Sequence, residues 1–213
     1  MSENPMPNLL MIAAGGYISW LWWEDYRQRR ATGRDNPQAL PGATPAPVSA
    51  CVIAAAGALV ILALETWGEI RLGISDEQSS ITVLFGLYSL VAAVIEEIIF
   101  RGYIVVTKRG TAVQWLAAVG ASVVFAALHP FLWDFETGDH FWAVGEWVWT
   151  WQLTLKGWFS TALVFLSSIW FYTVRFAGFN PHKSLLPCFA AHGAKNLGVF
   201  VIKAMQGFVH GVF

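Results

Sequence analysis

The chain has 213 residues, 56% apolar and 13% charged, with 13 basic against 14 acidic side chains and a net charge of -1; mean hydropathy is +0.52. A soluble domain carries roughly a quarter charged residues, and none of this size has an interior able to hide 12 Trp and 15 Phe beside the aliphatics. This composition excludes a water-soluble globular protein, a disordered chain and a nucleic-acid binder. It predicts an all-α, polytopic membrane protein, because apolar runs of helical length satisfy their own backbone groups in lipid.

In chain order, the N-terminus reads poorly as a signal peptide. It holds Glu3 and no Lys or Arg before the first apolar run, which ends in Trp20-Leu21-Trp22-Trp23 rather than at a small-residue cleavage site. Six spans are predicted: Pro7 to Trp23, Ala46 to Trp67, Ile81 to Val106, Trp115 to Trp133, Trp158 to Arg175 and Ser184 to Gln206. Each has the roughly 20 residues needed to cross about 30 Å of hydrocarbon. The first connection, Ala31 to Pro47, is rich in turn formers and reads as irregular. The fourth, Phe141 to Leu155, interleaves Trp142, Trp147, Trp149 and Trp151 with Glu146 and Gln152, and predicts an interfacial or re-entrant segment. No internal repeat and no separate soluble domain is visible, so residues 1–213 form one integral-membrane domain. Cys51 and Cys188 lie in apolar runs and read as packing residues.

The connections alternate in charge. Arg27, Arg29, Arg30 and Arg34 fall in the first, Lys108 and Arg109 in the third, and Arg175 and Lys183 bound the fifth. The second holds Glu69, Asp76 and Glu77, and the fourth Asp134, Glu136, Asp139 and Glu146, with Arg71 and Lys156 as their bases. Basic connections stay in the cytoplasm, which puts both termini outside.

Charged groups inside a span cost at least about 2.5–3.5 kcal/mol and mark a function or a specific partner. Spans three, four and six hold all the deep cases: Glu96, Glu97 and Arg101; His129; His192, Lys195 and Asn196. Glu97 and Arg101 are i,i+4 neighbours able to pair, which leaves Glu96 pointing elsewhere. His192 and Asn196 share a face one turn apart, as do Phe125 and His129. Gly193 is expected to allow a close helix approach, and Ala118, Ser122 and Ala126 give span four a small-residue stripe. At about 1.5 Å per residue Glu96 lies roughly 18 Å from Lys108, His192 roughly 14 Å from Lys183, and His129 roughly 21 Å from Trp115. These depths lean toward the inner side. Pro130 is expected to bend the fourth span.

These residues resemble a known family. Glu96-Glu97-Ile98-Ile99-Phe100-Arg101 resembles the EExxxR motif of the CAAX-protease-like intramembrane proteases, the CAAX protease and bacteriocin-processing (Abi) family. Phe125 to His129 resembles its FxxxH motif, His192 to Asn196 its HxxxN motif, and Phe171 to Arg175 followed by Ser184 to Pro187 the segment before the last motif. The likeness covers about residues 81–200. It implies intramembrane hydrolysis of a peptide bond near the terminus of a membrane-associated protein or peptide. Glu96 would activate water, His129 would help hold it, Glu97 and Arg101 would orient Glu96, and His192 and Asn196 would donate to the oxyanion. The segment Phe179 to Lys183 is an insertion relative to the family pattern, and Lys195 sets a cation beside Asn196.

Other readings stand beside this one. His129 also fits a helix-end histidine bonded to backbone. Lys195 fits a partner for an acid, or a contact to a substrate carboxylate. Cys188 stands i,i+4 from His192, but nothing nearby activates its thiol; His140, His182 and His210 read as loop or tail residues. Glu96, His129 and His192 are also a zinc ligand set, although no HExxH is present and Asn196 suits an oxyanion site better, so a metal-free mechanism without cofactor is favoured. A proton-coupled carrier, or a non-catalytic scaffold or immunity protein of the same fold, is the alternative function. The carrier reading expects inverted repeats, which are not visible. The expected location is a bacterial inner membrane, with lipid and a membrane-associated substrate as partners.

Overall fold

The computed structural model describes residues 5–34, 36–136 and 147–212. Glu3, Asp139, His140, Trp142 and Glu146, which carried expectations above, lie outside the described residues. Six α-helices run through the described residues: α1 Met6–Thr32, α2 Val48–Leu72, α3 Val83–Glu97, α4 Thr111–Leu128, α5 Leu155–Phe176 and α6 Leu186–Met205. A π-helical turn, Ile98–Tyr103, continues α3. Among the described residues four segments are long and apolar enough to cross a membrane: Val48–Leu72, Val83–Tyr103, Thr111–Leu128 and Leu155–Phe176.

The helices differ from the predicted spans at their ends. Helix α1 runs on to Thr32, so Arg27, Arg29 and Arg30 sit on its last turns rather than in a connection. No breaker intervenes before Gly33, and cations favour a helix C-terminus. Helix α4 begins at Thr111 and stops at Leu128; His129 is extended, at φ -81° and ψ 127°. Pro130 therefore ends the helix instead of bending it, because the residue before a proline is pushed out of the helical region.

The interior holds fully buried polar and charged side chains while many large apolar ones face outward. Arg101, Glu97, Asn180, Ser122, Ser168 and Ser184 are fully buried, whereas Leu116, Val48 and Met205 are 73%, 80% and 83% exposed. Water would reverse this distribution, and lipid does not. Ala50, Ala54 and Ala58 form a fully buried stripe on α2, and α2 packs along α6 and α5. Trp170 lies over Gly57 and donates its indole N–H to the Ala54 carbonyl at 2.9 Å. The expected stripe Ala118, Ser122 and Ala126 is buried. Gly193 is not a contact glycine, since a Cβ there would meet nothing within 4 Å.

Connections gather at two ends. At one end the Leu185 N–H donates to Gly42 O at 3.0 Å, Thr44 Oγ1 to His182 O at 3.0 Å, and Arg175 Nε to Arg101 O at 2.9 Å. Asn180, in the segment predicted as an insertion, is buried there. Its Nδ2 donates to Val174, Arg175 and Ser184 carbonyls, and its Oδ1 accepts from the Ser184 N–H at 2.9 Å. At the opposite end Lys156 pairs with Glu69, Gln78 Nε2 donates to Glu69 Oε2 at 2.7 Å, and the tail runs beside Ile81, whose N–H donates to Phe208 O at 2.9 Å. The basic end thus joins the first, third and fifth connections, and the other end joins the second, the fourth and the tail.

The described part of the fourth connection is a two-stranded ribbon. Strand β1, Trp133–Glu136, pairs antiparallel with β2, Val148–Trp151, setting Trp133 opposite Trp151 and Phe135 opposite Trp149. Aromatic and β-branched residues favour such a ladder, and Trp133 stacks on Trp149 at 4.5 Å between ring centroids.

Candidate active site

A cavity of about 940 Å³ is enclosed by α2 to α6 and lined by Glu96, His129, His192 and Asn196 among others. Four of the predicted site residues therefore share one hollow, although they come from three helices.

The supporting pair sits behind its wall. Glu97 and Arg101 are both fully buried, with Arg101 Nη1 3.0 Å from Glu97 Oε1. Arg101 Nη2 also donates to Ser168 Oγ at 2.5 Å and to Ser168 O at 3.2 Å. The guanidinium lies among the rings of Phe125, Tyr172 and Phe171, at 4.5, 4.8 and 5.1 Å to the ring centres. A cation this far from water needs such faces and acceptors. The Tyr172 hydroxyl donates to Phe100 O at 2.6 Å, within the π-helical turn that carries Arg101.

The pair's contact to the site runs through His192. Its Nδ1 lies 2.8 Å from Glu97 Oε1. A carboxylate accepts, so Nδ1 carries the hydrogen, and Nε2 points to Glu96 Oε2, 3.8 Å away. The ring stacks on Phe171 at 4.8 Å and 25°. Glu97 and Arg101 thus fix His192, where the motif resemblance had them orienting Glu96.

Glu96 has a different environment. Its side chain is 33% exposed, while that of Glu97 is fully buried. Consecutive residues on α3 point about 100° apart, so Glu96 enters the cavity and Glu97 enters the protein.

His129 is a helix-end histidine bonded to backbone. It ends α4, with Nδ1 2.8 Å from Phe125 O. The carbonyl can only accept, so Nδ1 donates and Nε2 is left with the lone pair when the ring is neutral. His129 also lines the cavity. The Phe125 ring lies between the two imidazoles, 4.8 Å from His129 and 6.1 Å from His192 between centroids. Asn196 Nδ2 donates one hydrogen bond to Ser89 O on α3 at 3.0 Å.

Lys195 is the partner of an acid. Its ammonium is 3.0 Å from Glu65 Oε2 and donates to Ser167 Oγ at 2.8 Å. Glu65, on α2, corrects the expectation that spans three, four and six hold all the deep charges. The signal was present, since Glu65 stands between Leu64 and Trp67 in an apolar run. Lys195→Met is expected to destabilise the protein by about 3–5 kcal/mol, because it strands a half-buried carboxylate. Adding Glu65→Gln should recover most of that loss, as read by thermal unfolding in fixed detergent. Cys188 Sγ faces Phe171 O at 3.5 Å rather than an imidazole.

Among the described residues no three His, Cys, Asp or Glu side chains are grouped to hold a metal ion.

A family model described as type II CAAX prenyl endopeptidase Rce1-like matches residues 78–198. No curated protein and no solved structure matches the chain. The matched segment contains Glu96, Glu97, Arg101, His129, His192, Lys195 and Asn196, and leaves α1 and α2 outside.

Proposed function

The chain belongs to the Rce1-like family of type II CAAX prenyl endopeptidases, and from that premise we propose that it is a metal-free intramembrane endopeptidase acting near the terminus of a membrane-associated polypeptide. The observation that carries this reading is the shared cavity: Glu96, His129, His192 and Asn196 line one hollow, with His192 Nε2 3.8 Å from Glu96 Oε2. The chain is taken as one integral-membrane domain, 1–213, whose six helices all cross a bacterial inner membrane. Its catalytic core is about 81–200. Basic connections lie in the cytoplasm and both termini outside.

In this mechanism Glu96 removes a proton from a water held against His129 Nε2 as the oxygen attacks the peptide carbonyl. The tetrahedral oxyanion receives the second N–H of Asn196 and, when the ring carries both protons, His192 Nε2–H. Glu97 holds the other nitrogen of that ring, Nδ1, as a carboxylate orients an imidazole in many sites. Glu96 then passes its proton to the leaving amine, the C–N bond breaks, and one water has been added across the peptide bond. Donors fixed before reaction act strongly in a dry site. Lys195, held by Glu65 and Ser167, takes no part.

The test is reconstitution of purified protein in vesicles with membrane-anchored peptides, including a farnesylated C-terminal peptide. Cleavage should survive a chelator and fall at least about a hundredfold in His192→Ala. Loss on chelation with rescue by zinc would replace the glutamate mechanism with a metal one. Cleavage undiminished in His192→Ala would remove the site.

A further inference from the structure

Helix α6 turns one stripe toward the hollow. His192, Asn196, Val199, Lys203 and Gln206 all line it, at the three- and four-residue intervals of one helical face. The first two belong to the reaction described above. Lys203 does not, and it lies beyond residue 198, where the match to the family model ends.

A buried cation needs an anion beside it or a full set of acceptors. Lys203 is only 9% exposed and has neither. Its Nζ donates to Ser79 O at 2.6 Å, with Ser79 Oγ 3.5 Å away. An ammonium has three hydrogens to give, and both of these acceptors belong to one residue. The carboxylates whose charge it feels are engaged elsewhere: Glu69 with Lys156 and Gln78, Glu65 with Lys195. Among the described residues no carboxylate pairs with Lys203, although its neighbours on the same wall are all matched.

Its place on the helix sets a spacing. Asn196 and Lys203 are i,i+7 neighbours, so they share a face about 10 Å apart at ~1.5 Å per residue. An extended chain covers that distance in about three residues at ~3.3 Å each. We infer that Lys203 is a specificity-determining residue: it receives the carboxylate of an acidic side chain, Asp or Glu, about three residues along the substrate from the bond held at Asn196. This rests on the cleavage reading above. A side chain suits the site better than a chain end, because the hollow does not close at Lys203. Gln206, further along the same stripe, and the exposed Glu77 line it as well, so the polypeptide runs on past the ammonium. Between the two positions Val199 and Phe200 form the wall, which suits apolar residues in the intervening stretch.

The test uses the full chain in vesicles of zwitterionic lipid. Membrane-anchored peptides of otherwise apolar sequence carry Glu, Gln or Lys at one position, moved through the four residues on each side of the cleaved bond. At the third position on one side, wild type should prefer Glu over Gln by at least about tenfold in kcat/KM, mostly through KM, since the contact is made equally before and during reaction. Lys203→Gln should lose that preference, and Lys203→Glu should transfer it to the Lys peptide. A reversed preference cannot come from a misfolded variant, so the charge swap guards against loss of the Ser79 contacts. Equal cleavage of the Glu and Gln peptides at every position, or a preference that Lys203→Glu leaves in place, would overturn the inference while cleavage stands. A peptide ending at the third residue and favoured only with its terminal carboxyl free would overturn it too, by assigning the ammonium to a chain end. If wild type cuts none of the peptides, binding of a fluorescent Glu peptide decides: affinity at least about tenfold above that of the Gln peptide and lost in Lys203→Gln keeps the carboxylate site while the protease reading falls, and equal affinity removes both.

Discussion

Glu96→Ala is expected to lower peptide cleavage by about a hundred- to ten-thousand-fold while leaving the fold intact, because a positioned base contributes that much to a proton-transfer step. The fold survives because Glu96 does not hold the bundle together. Its carboxylate enters the cavity, one-third exposed, and its ionic neighbour is His192 Nε2 at 3.8 Å. Glu96→Gln tests the same point with the shape kept, and it should be as inactive as the alanine variant. The measurement is single-turnover cleavage in vesicles beside thermal unfolding. Activity within tenfold of wild type in both variants would take the base away from Glu96.

Arg101→Met is expected to do the opposite, costing about 3–5 kcal/mol of stability before any question of activity arises. It leaves Glu97 as a buried carboxylate whose remaining partner is the His192 ring, and it frees Ser168 from two hydrogen bonds. Arg101→Lys should recover little, since an ammonium cannot bridge Glu97 and Ser168 while lying flat among the surrounding rings. Denaturant unfolding in fixed detergent reads the loss. A change below about 1 kcal/mol, the range of a surface ion pair, would mean that the pair does not bear on the fold.

The parts of the site legible in the sequence are those governed by helical spacing alone. Glu97 and Arg101 pair because four residues bring them to one face, and Glu96 diverges because one residue turns it away. Which neighbour a side chain meets on another helix carries no such local signal. Spacing does not show that Glu97 serves His192, that Ser168 receives the arginine, or that Lys195 reaches back to Glu65 across three helices. The helix ends erred where one signal outweighed another. The arginines after Trp23 suggested a connection, yet good helix formers carried α1 to Thr32. Pro130 fits a kink as well as a stop by its chemistry, and its restriction on His129 is what ends α4. In the Trp-rich stretch Trp147, Trp149 and Trp151 recur every second residue, the period of a strand, while the same rings also suit a membrane surface.

The paired strands also carry a depth gauge. A lone two-stranded ribbon is marginal in water, and Trp151 and Leu153 are 67% and 62% exposed. Indole rings settle where hydrocarbon gives way to headgroups, so this ribbon sets the level at which Gln152, on the cavity wall, meets the bilayer boundary. Lipids brominated high on their acyl chains should therefore quench the added emission of wild type over a Trp149→Phe, Trp151→Phe variant more than lipids brominated near the chain ends. Equal quenching by both would place the ribbon off the boundary. Thickening the bilayer would then raise that boundary against a fixed opening, making lipid chain length a means of throttling entry to the hollow.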